Sequence, residues 1–318
     1  MTRWWLGAYA LHATLDPWTE SERRAWRERL LALRSIRGLE IPLPDTIDET
    51  WLQNLPRSWD YILTLLPATM QSLARQSDFG LASRTAEGRA AAMQLARKAQ
   101  RAVAAVHEHL GRRAVCAVHL HSGPARRSAA VISDGQNLRH SLEEICTWEW
   151  GGADLILEHC DAFRSPETSV KGFLALDEEL TATEGLPVAH GVNWGRSVLE
   201  MRDVNGALAH VEMIKARGTL RSFIFSGTAV GDPIYGDWQD NHAPISLQSQ
   251  AVWDPQRGLL TLAEVKKVAK RLIPDPPAYL ALKIQPFPTH LDQKARLDCL
   301  DAQLAALDQH WNLESGGD

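Results

Sequence analysis

The sequence predicts an α/β protein, a single (β/α)8 barrel of eight parallel strands that takes in residues 1–318 as one domain. Three observations predict this fold. Short apolar runs alternate with amphipathic helical segments along the whole chain, which favours right-handed crossovers and a parallel sheet. There are eight such units, which favours closure into a barrel. An open doubly wound sheet is the alternative, but the GxGxxG and GxxxxGK[ST] motifs that would support it are absent.

The predicted strands are short apolar runs, each too brief to be a helix. They are Trp4–Leu11, Gly38–Leu43, Asp60–Leu66, Ala114–His121, Asp154–Glu158, Pro187–Asn193, Arg221–Ser226 and Tyr279–Gln285.

Capping residues and glycines mark the helices between these strands. Thr19 and Glu22 form a capping-box pattern before the first helix, and Thr261 and Glu264 repeat it before the seventh. The remaining signals are Thr85 opening a long helix that Gly111 ends, Asn137 as a cap, Asp203 and Gly218 bounding another helix, and an apolar stripe from Leu300 to Trp311. The segments 51–55 and 169–183 have the weakest helical patterns. A Gly-, Pro- and Trp-containing connection, 228–258, follows strand seven, and its length is typical of a lid or binding loop.

Composition narrows the classes of partner. The chain has 318 residues, 45% of them hydrophobic, and a net charge of -5, so we expect a large core and no nucleic-acid partner. The opening MTRWWLGAYALH has no signal-peptide pattern and no apolar run reaches membrane-span length, so no membrane partner is expected. Four cysteines lie apart from one another and no motif pairs them, which favours reduced thiols and a cytoplasmic location. Self-association into a homo-oligomer is left open.

Side-chain alternation along the strands predicts which residues point into the barrel. On strand eight, Leu280, Leu282 and Ile284 should face the helices, which turns Lys283 and Gln285 inward. The same parity predicts further inward polar residues on the other strands: Tyr9, Glu40, His119, His121, Glu158, Asn193 and Ser226. His159 should face the opposite side from Glu158, and His210, on a helix, should be solvated.

Each inward polar residue comes late in its strand, at the end where barrel enzymes carry their active sites. One such residue alone is best interpreted as a hydrogen-bonded plug of the barrel. Their convergence from seven strands instead predicts a clustered ionisable site, so we expect an enzyme.

The fifth-strand segment ADLILEHCDAF, with Glu158 at the strand end, resembles the xylose isomerase-like barrel superfamily of sugar isomerases, sugar epimerases and endonuclease IV-type repair enzymes. The likeness extends over nearly the whole chain as strand order, although its motifs are short. It implies an uncharacterised bacterial branch of that superfamily.

The resemblance also implies where a metal would bind. In that superfamily a metal is typically held by Glu, Asp, His and Glu on strands five to eight. The matching positions here are Glu158, Asn193, Ser226 and Gln285, so only the first ligand is retained. The superfamily's Asp-x-x-His resembles Asn193 to Arg196, its Asp-x-His is matched by Asp240 and His242, and its strand-four histidine by His119 or His121.

Neutral amides and hydroxyls are poor ligands for a divalent metal, and Arg196 and Lys283 add positive charge. No cofactor is therefore favoured, and we expect the superfamily's metal site to be lost. A displaced divalent site formed by Glu158, His121, Asp240 and His242 is the alternative.

The expected reaction is proton removal beside a sugar carbonyl, as in isomerisation, epimerisation or β-elimination. Glu158 is the candidate base, with a structural pairing to Lys283 as its alternative role, and His121 is the candidate acid or hydroxyl-orienting group. Arg196 and Lys283 would stabilise the oxyanion. The predicted carbohydrate-binding residues are Glu40, His119, Asn193, Ser226, Asp240, His242 and Gln285, with Trp194 as a stacking platform.

Two other functions compete with this one. The barrel could be a non-catalytic sugar-binding or regulatory protein that has lost its chemistry together with the metal ligands. It could also be a metal-dependent repair endonuclease, but the negative net charge and the missing ligands weigh against that interpretation.

Overall fold

The computed structural model describes residues 3–11, 19–127 and 130–314. Within these ranges, eight parallel strands form a closed barrel in which each strand pairs with its neighbours in chain order and the first pairs with the eighth. The predicted fold class is confirmed. The barrel strands, one to eight, are Trp4–Leu6, Ile36–Pro42, Asp60–Thr64, Val115–Leu120, Asp154–His159, Val188–Asn193, Leu220–Phe225 and Tyr279–Leu282.

Helices connect the strands and cover the barrel. The described helices are α1 Ala8–Leu11, α2 Glu20–Ala32, α3 Glu49–Gln53, α4 Leu66–Arg75, α5 Ala86–Leu110, α6 Gly135–Cys146, α7 Leu176–Ala182, α8 Trp194–Met201, α9 Gly206–Lys215, α10 Leu262–Leu272 and α11 Gln293–Glu314. A two-stranded antiparallel ribbon, Arg126–Arg127 with Ala130–Val131, projects after strand four. None of the described helices combines the length and apolar character needed to cross a membrane.

Several of these helices have a side chain that caps their N-terminus. Thr19 and Glu22 form the full capping box of α2, Thr85 caps α5, and Thr261 caps α10 by accepting from the Glu264 N–H. The predicted cap of α6 was wrong, because the N-cap residue is Asp134, whose side chain accepts from the Asn137 N–H.

The cap of α9 also differs from the prediction. Asn205 occupies the N-cap position of α9, while Asp203 accepts from the Asn205 N–H just before it.

The alternation of side chains divides the apolar residues into two layers. A small cluster inside the barrel contains Trp5, Ile62, Ala117, Ile156, Ile224, Tyr279 and Ala281. Leu280, Leu282 and Ile284 instead join the large core between the barrel and its helices. The predicted inward parity of strand eight is therefore confirmed, and the later residues of the same parity lie above this apolar floor.

Strand one is shorter than predicted. It ends at Leu6, and residues 8–11 form helix α1, whose Ala10 N–H donates to the Gly7 carbonyl at 3.1 Å. A brief apolar run fits a helix or a strand equally well, so its pattern could not separate the two. Tyr9 nevertheless reaches the barrel mouth, from a helix and not from a strand.

Candidate active site at the barrel mouth

Ionisable and amide side chains meet where the carboxyl ends of the strands converge. We call them the mouth cluster: Glu40, His119, His121, Glu158, Asn193, Arg196 and Lys283. Each is at most 4% exposed. Six were predicted to face inward from their strands, and Arg196 joins them from the first turn of α8. Charged residues are rarely buried unless they are paired, so their contacts define the chemistry of the site.

Glu158 forms the centre of the cluster. Its Oε1 accepts from Arg196 Nη1, and its Oε2 accepts from His121 Nε2 at 3.1 Å. His119 Nδ1 lies 3.6 Å from the same Oε2. Burial opposes ionisation of this carboxyl, but the Arg196 guanidinium and the His121 hydrogen bond outweigh it and hold the Glu158 pKa well below its usual range.

His121 is a neutral imidazole in this environment. Burial lowers its pKa to about 4, although the Glu158 carboxylate acts in the opposite direction. Because a carboxylate can only accept, the proton of the neutral ring resides on Nε2, which leaves a lone pair on Nδ1. His121 Nδ1 is buried and has no hydrogen-bond partner within the described residues. His121 was predicted to be an acid or a hydroxyl-orienting group, and its neutral ring offers a proton acceptor on Nδ1.

Lys283 pairs with Glu40 across strands eight and two. Its Nζ lies 3.2 Å from Glu40 Oε1 and 4.9 Å from the centroid of the Tyr9 ring. The Tyr9 hydroxyl donates to the same Oε1 at 3.4 Å. The proposed structural pairing of Glu158 with Lys283 was therefore wrong, because Arg196 neutralises Glu158 and leaves Lys283 to Glu40.

Gly7 makes room for the Lys283 side chain. A Cβ atom at position 7 would lie 2.8 Å from Lys283 Cγ and 3.1 Å from its Cβ. We expect Gly7→Ala to displace Lys283 from Glu40 and to lower the free energy of unfolding by about 1–3 kcal/mol, the usual cost of overpacking. Urea unfolding measures this loss. Gly135→Ala, whose added carbon would lie no closer than 3.3 Å to another atom, is the control and should lose less; equal losses would contradict the role given to Gly7.

The long connection after strand seven closes over the cluster through Asp240 and His242. The Asp240 carboxylate accepts from Lys171 Nζ and, at 3.3 Å, from Arg196 Nε. His242 Nδ1 lies 2.8 Å from Ser226 Oγ, and the His242 carbonyl accepts from the Gln285 N–H at 2.8 Å. These contacts bring Asp240, His242, Ser226 and the backbone of Gln285 together at one edge of the mouth.

Electrostatics fix the protonation states of the two loop residues. Burial opposes ionisation of Asp240, but Lys171 and Arg196 outweigh it and hold the Asp240 pKa well below its usual range. Burial lowers the His242 pKa to about 3, so its ring is neutral near neutral pH. The loop thus supplies one fixed negative charge and one neutral imidazole.

Lys171 was not predicted from the sequence as a residue of the site. It lies between strand five and α7, in a segment whose pattern was weak, and its side chain is only 7% exposed. A buried lysine in a loop has no periodic signal, so only the three-dimensional contact with Asp240 identifies it.

Trp194 was expected to stack on a sugar, and that expectation was wrong. The residue is completely buried and packs in the core between barrel and helices. As the first residue of α8, it faces away from Asn193, whose Oδ1 caps that helix by accepting from the Arg196 N–H at 3.3 Å. No face of the Trp194 ring is open to a ligand.

The superfamily's metal does not fit the four matched positions. Asn193 Oδ1 caps a helix, Ser226 Oγ bonds to His242, and Arg196 donates to Glu158. Neutral donors with a guanidinium on the one retained carboxylate make a poor environment for a divalent cation. The displaced set is also divided, because Arg196 lies between Glu158 and Asp240 and donates to both.

Two other groups bring potential ligand atoms within 4.8 Å of one another: Glu40, His119 and Glu158 in the mouth, and His159, Glu200 and His210 outside the barrel. Lys283 and Arg196 already neutralise the carboxylates of the first group. In the second group, the Glu200 oxygens accept from His159 Nε2, the Ala162 N–H and Arg164 Nη2. A metal at either place would have to displace these donors.

Several polar atoms of the mouth cluster are buried without a hydrogen-bond partner in the part of the chain that the structure describes. They are Glu40 Oε2, both ring nitrogens of His119, His121 Nδ1, Asn193 Nδ2 and Arg196 Nη2. Buried polar groups are normally satisfied, and leaving one unpaired costs about 1–3 kcal/mol. Their concentration at one place indicates a site for a ligand with several oxygen atoms.

Comparison with known proteins agrees with this architecture. The profile of a family described as a domain of unknown function, DUF4862, matches residues 5–299. An uncharacterized protein of Salmonella typhimurium strain LT2, STM3670, is 31% identical over 300 residues, which is 93% of each chain.

Solved structures share the fold at low sequence identity. A D-tagatose 3-epimerase-like protein superposes with a TM-score of 0.61 at 11% identity, covering 99% of this chain and 98% of that one. A xylose isomerase domain-containing protein from Salmonella typhimurium LT2 superposes with a TM-score of 0.58 at 10% identity, covering 96% and 97%. The resemblance to xylose isomerase-like barrels is confirmed at the level of fold.

Proposed function

The chain belongs to the DUF4862 family, and we propose that it is a carbohydrate isomerase, epimerase or lyase that removes a proton beside a sugar carbonyl without the superfamily's metal. One observation carries the proposal: buried polar atoms of the mouth cluster lack hydrogen-bond partners, among them Nδ1 of the neutral His121 imidazole and Nη2 of the Arg196 guanidinium. A polyhydroxylated carbonyl compound offers donors and acceptors for all of them. Its fold relatives include proteins described as sugar epimerases, which supports this substrate class.

The base is the pair formed by His121 and Glu158. His121 Nδ1 has the free lone pair, and Glu158 accepts the proton of Nε2. When Nδ1 takes the proton from carbon, the ring becomes a cation whose charge the adjacent carboxylate stabilises. A carboxylate that fixes the tautomer and compensates the imidazolium plays the same part in hydrolase triads. Glu158 therefore acts through His121, since both of its own oxygens already accept hydrogen bonds.

The developing oxyanion is held by fixed donors. The electron pair of the broken C–H bond forms a carbon–carbon double bond, and negative charge moves to the carbonyl oxygen. Arg196 Nη2 and Asn193 Nδ2 are two unpartnered buried donors of the mouth, and both belong to the start of α8. Preorganised donors in a water-excluded site are worth more than in water, about 3–4 kcal/mol each in known enzymes. In an isomerisation the proton then returns from His121 to the former carbonyl carbon, while the neighbouring hydroxyl gives its proton to the oxyanion and becomes the new carbonyl.

Glu40, His119 and Lys283 bind the sugar hydroxyls beside the reacting carbons. His119 has two unpartnered nitrogens and Glu40 has one free oxygen, so together they can accept from and donate to a hydroxyl. Asp240, His242 and Ser226 close the other edge of the site. The chain's net charge of -5 agrees with a small carbohydrate ligand and not with nucleic acid.

The proposal is tested by solvent-hydrogen exchange. Keto- and aldo-sugars are incubated with the protein in D2O containing a chelator, and NMR follows deuterium incorporation at the carbon beside the carbonyl. We expect at least one sugar to exchange faster than in buffer alone. A sugar that raises the melting temperature yet never exchanges would indicate the non-catalytic binding barrel.

The pH dependence follows from the His121 pKa. Because burial lowers it to about 4, the neutral ring that acts as base persists well below neutral pH. We expect kcat/KM to stay level through neutral pH and to fall on the acid side with a midpoint of about 4. A midpoint of about 6.5, typical of a solvated histidine, would contradict the assignment of His121 as the base.

A further inference from the structure

A second polar layer lies behind the mouth cluster, between strand five and helices α7 and α8. We call it the outer network: Ser122, His159, Glu179 and Glu200. His159 Nδ1 donates to Glu179 Oε2 at 2.7 Å and Nε2 donates to Glu200 Oε2 at 2.8 Å. Ser122 Oγ donates to Glu179 Oε1 at 2.6 Å. All four side chains are at most 5% exposed.

Each central residue of the mouth has a neighbour in this network. Ser122 follows His121, and His159 follows Glu158 on the opposite face of strand five. Glu200 lies one helical turn after Arg196 on α8. The outer network therefore joins the three chain segments that carry the proposed base and the oxyanion donor.

Strand five and α8 are held together on two sides. Inside the barrel Glu158 binds Arg196, and outside it His159 binds Glu200. Helix α8 has only eight residues, and its second contact with strand five restricts rotation about the first. Catalytic geometry depends on such support, because misplacing a reacting group by about 1 Å can cost about 10²-fold in rate.

We propose that His159 is a positioning residue, whose ring ties Glu179 and Glu200 together and thereby fixes His121, Glu158 and Arg196 relative to one another. This inference rests on the proposed function for its catalytic consequence. Its structural part, the orientation of His121, stands independently of which sugar the protein uses.

The charge of His159 supports this role. Burial disfavours its protonation, but Glu179 and Glu200 outweigh burial and raise the His159 pKa to about 10, while His159 lowers the Glu200 pKa to about 2 against the opposing effect of burial. The ring is thus a cation at neutral pH and donates through both nitrogens, a state that a neutral side chain cannot reproduce. Its sequence signal was weak, since a histidine on the outer face of a strand is usually a packing residue.

The experiment compares His159→Gln with His190→Gln. His190 is also a buried, outward-facing strand histidine with two partners, but these are the hydroxyls of Thr183 and Thr219 and not the carboxylates of Glu179 and Glu200. Nitrogen-15 NMR of the imidazoles reports the tautomer and titration of His121 in each variant. With a sugar that exchanges, kcat and KM are measured as well.

We expect both variants to lose stability, while only His159→Gln alters the His121 tautomer or pKa and lowers kcat about 10²-fold with little change in KM. Should His159→Gln fail to fold, Glu179→Gln, which keeps the size of the side chain, is expected to move the His121 signals in the same direction. Unchanged His121 signals in the folded variant would overturn the positioning role. If no sugar exchanges but the His121 signals move, the proposed function fails while the outer network's structural role holds.

Discussion

Replacing Glu158 with Gln is expected to lower turnover by about 10²–10⁴-fold, the range typical of a lost acid–base group. The Gln amide can no longer stabilise the imidazolium that His121 becomes. Its NH2 group must also face a donor, either Arg196 or His121, because only the amide oxygen can accept. We also expect the free energy of unfolding to fall by about 3–5 kcal/mol, because Arg196 loses a buried partner. Single-turnover kinetics and urea unfolding measure the two effects.

The matched control for this change is Glu264→Gln. Glu264 is also mostly buried, but it lies in α10 and pairs with the half-exposed Lys267 at 2.7 Å, away from the mouth cluster. Its turnover should equal that of the wild type. If Glu158→Gln folds and keeps full turnover, the His121–Glu158 pair is not the base. If the wild type shows no turnover and Glu158→Gln keeps its ligand affinity, the barrel is a binding protein.

Replacing Arg196 with Met is expected to destabilise the protein about as much as replacing Glu158 with Gln. Arg196 donates to both Glu158 and Asp240, and it is completely buried. Its removal leaves two buried carboxylates, of which Asp240 retains Lys171, while Glu158 retains the neutral His121. We expect a loss of about 3–5 kcal/mol and, with the oxyanion donor gone, a fall in kcat of about 10²–10³-fold.

Arg296→Met is the control, because Arg296 is equally buried but donates to the carbonyls of Leu11, Thr289 and Leu291 and not to carboxylates. In Arg196→Met the Glu158 pKa should rise above its unfolded value, so the folded state binds the proton more tightly. The free energy of unfolding of Arg196→Met then falls as pH rises from the unfolded to the folded pKa of Glu158, and it recovers as pH is lowered. The loss of stability of Arg196→Met relative to the wild type should therefore become smaller in mild acid, whereas that of Arg296→Met should not. Losses that change in the same way with pH in both variants would contradict the pairing of Arg196 with Glu158.

The barrel could be predicted because its signals are periodic. Eight apolar runs separated by capped helices specify strand order, and the alternation along strand eight fixed the orientation of Lys283. The end of strand one was predicted wrongly because a run of small and aromatic residues suits either a strand or a short helix. The cap of α6 was also ambiguous in the sequence, because Asn137 and Asp134 are both residue types that cap helices, and the structure has Asp134 there.

The residues of the candidate site could be predicted, whereas their partners could not. Parity placed Glu158 and His121 at one mouth, but which cation neutralises Glu158 depends on the direction in which α8 leaves strand six. Lys283 was the partner of Glu158 that the sequence suggested, whereas in the structure Glu158 pairs with Arg196.

Buried polar residues outside regular patterns were missed or misjudged. His210 was expected to be solvated, yet it is 3% exposed and bonds Ser197 at 2.9 Å through Nδ1. Trp194 was expected to stack on a sugar, but the first turn of a helix directs successive side chains to different faces, and Trp194 packs in the core. Neither outcome can be derived without knowing which helix packs on which strand.

The Arg196 guanidinium, and not a metal ion, neutralises Glu158 in the mouth cluster. This pairing is tested most directly by a crystal structure of protein purified without chelator, with anomalous scattering collected at the absorption edges of zinc, iron and manganese. We predict Arg196 Nη1 donating to Glu158 Oε1 and no anomalous peak within the mouth cluster. A stoichiometric ion bound to Glu158, with Arg196 displaced from it, would contradict the account.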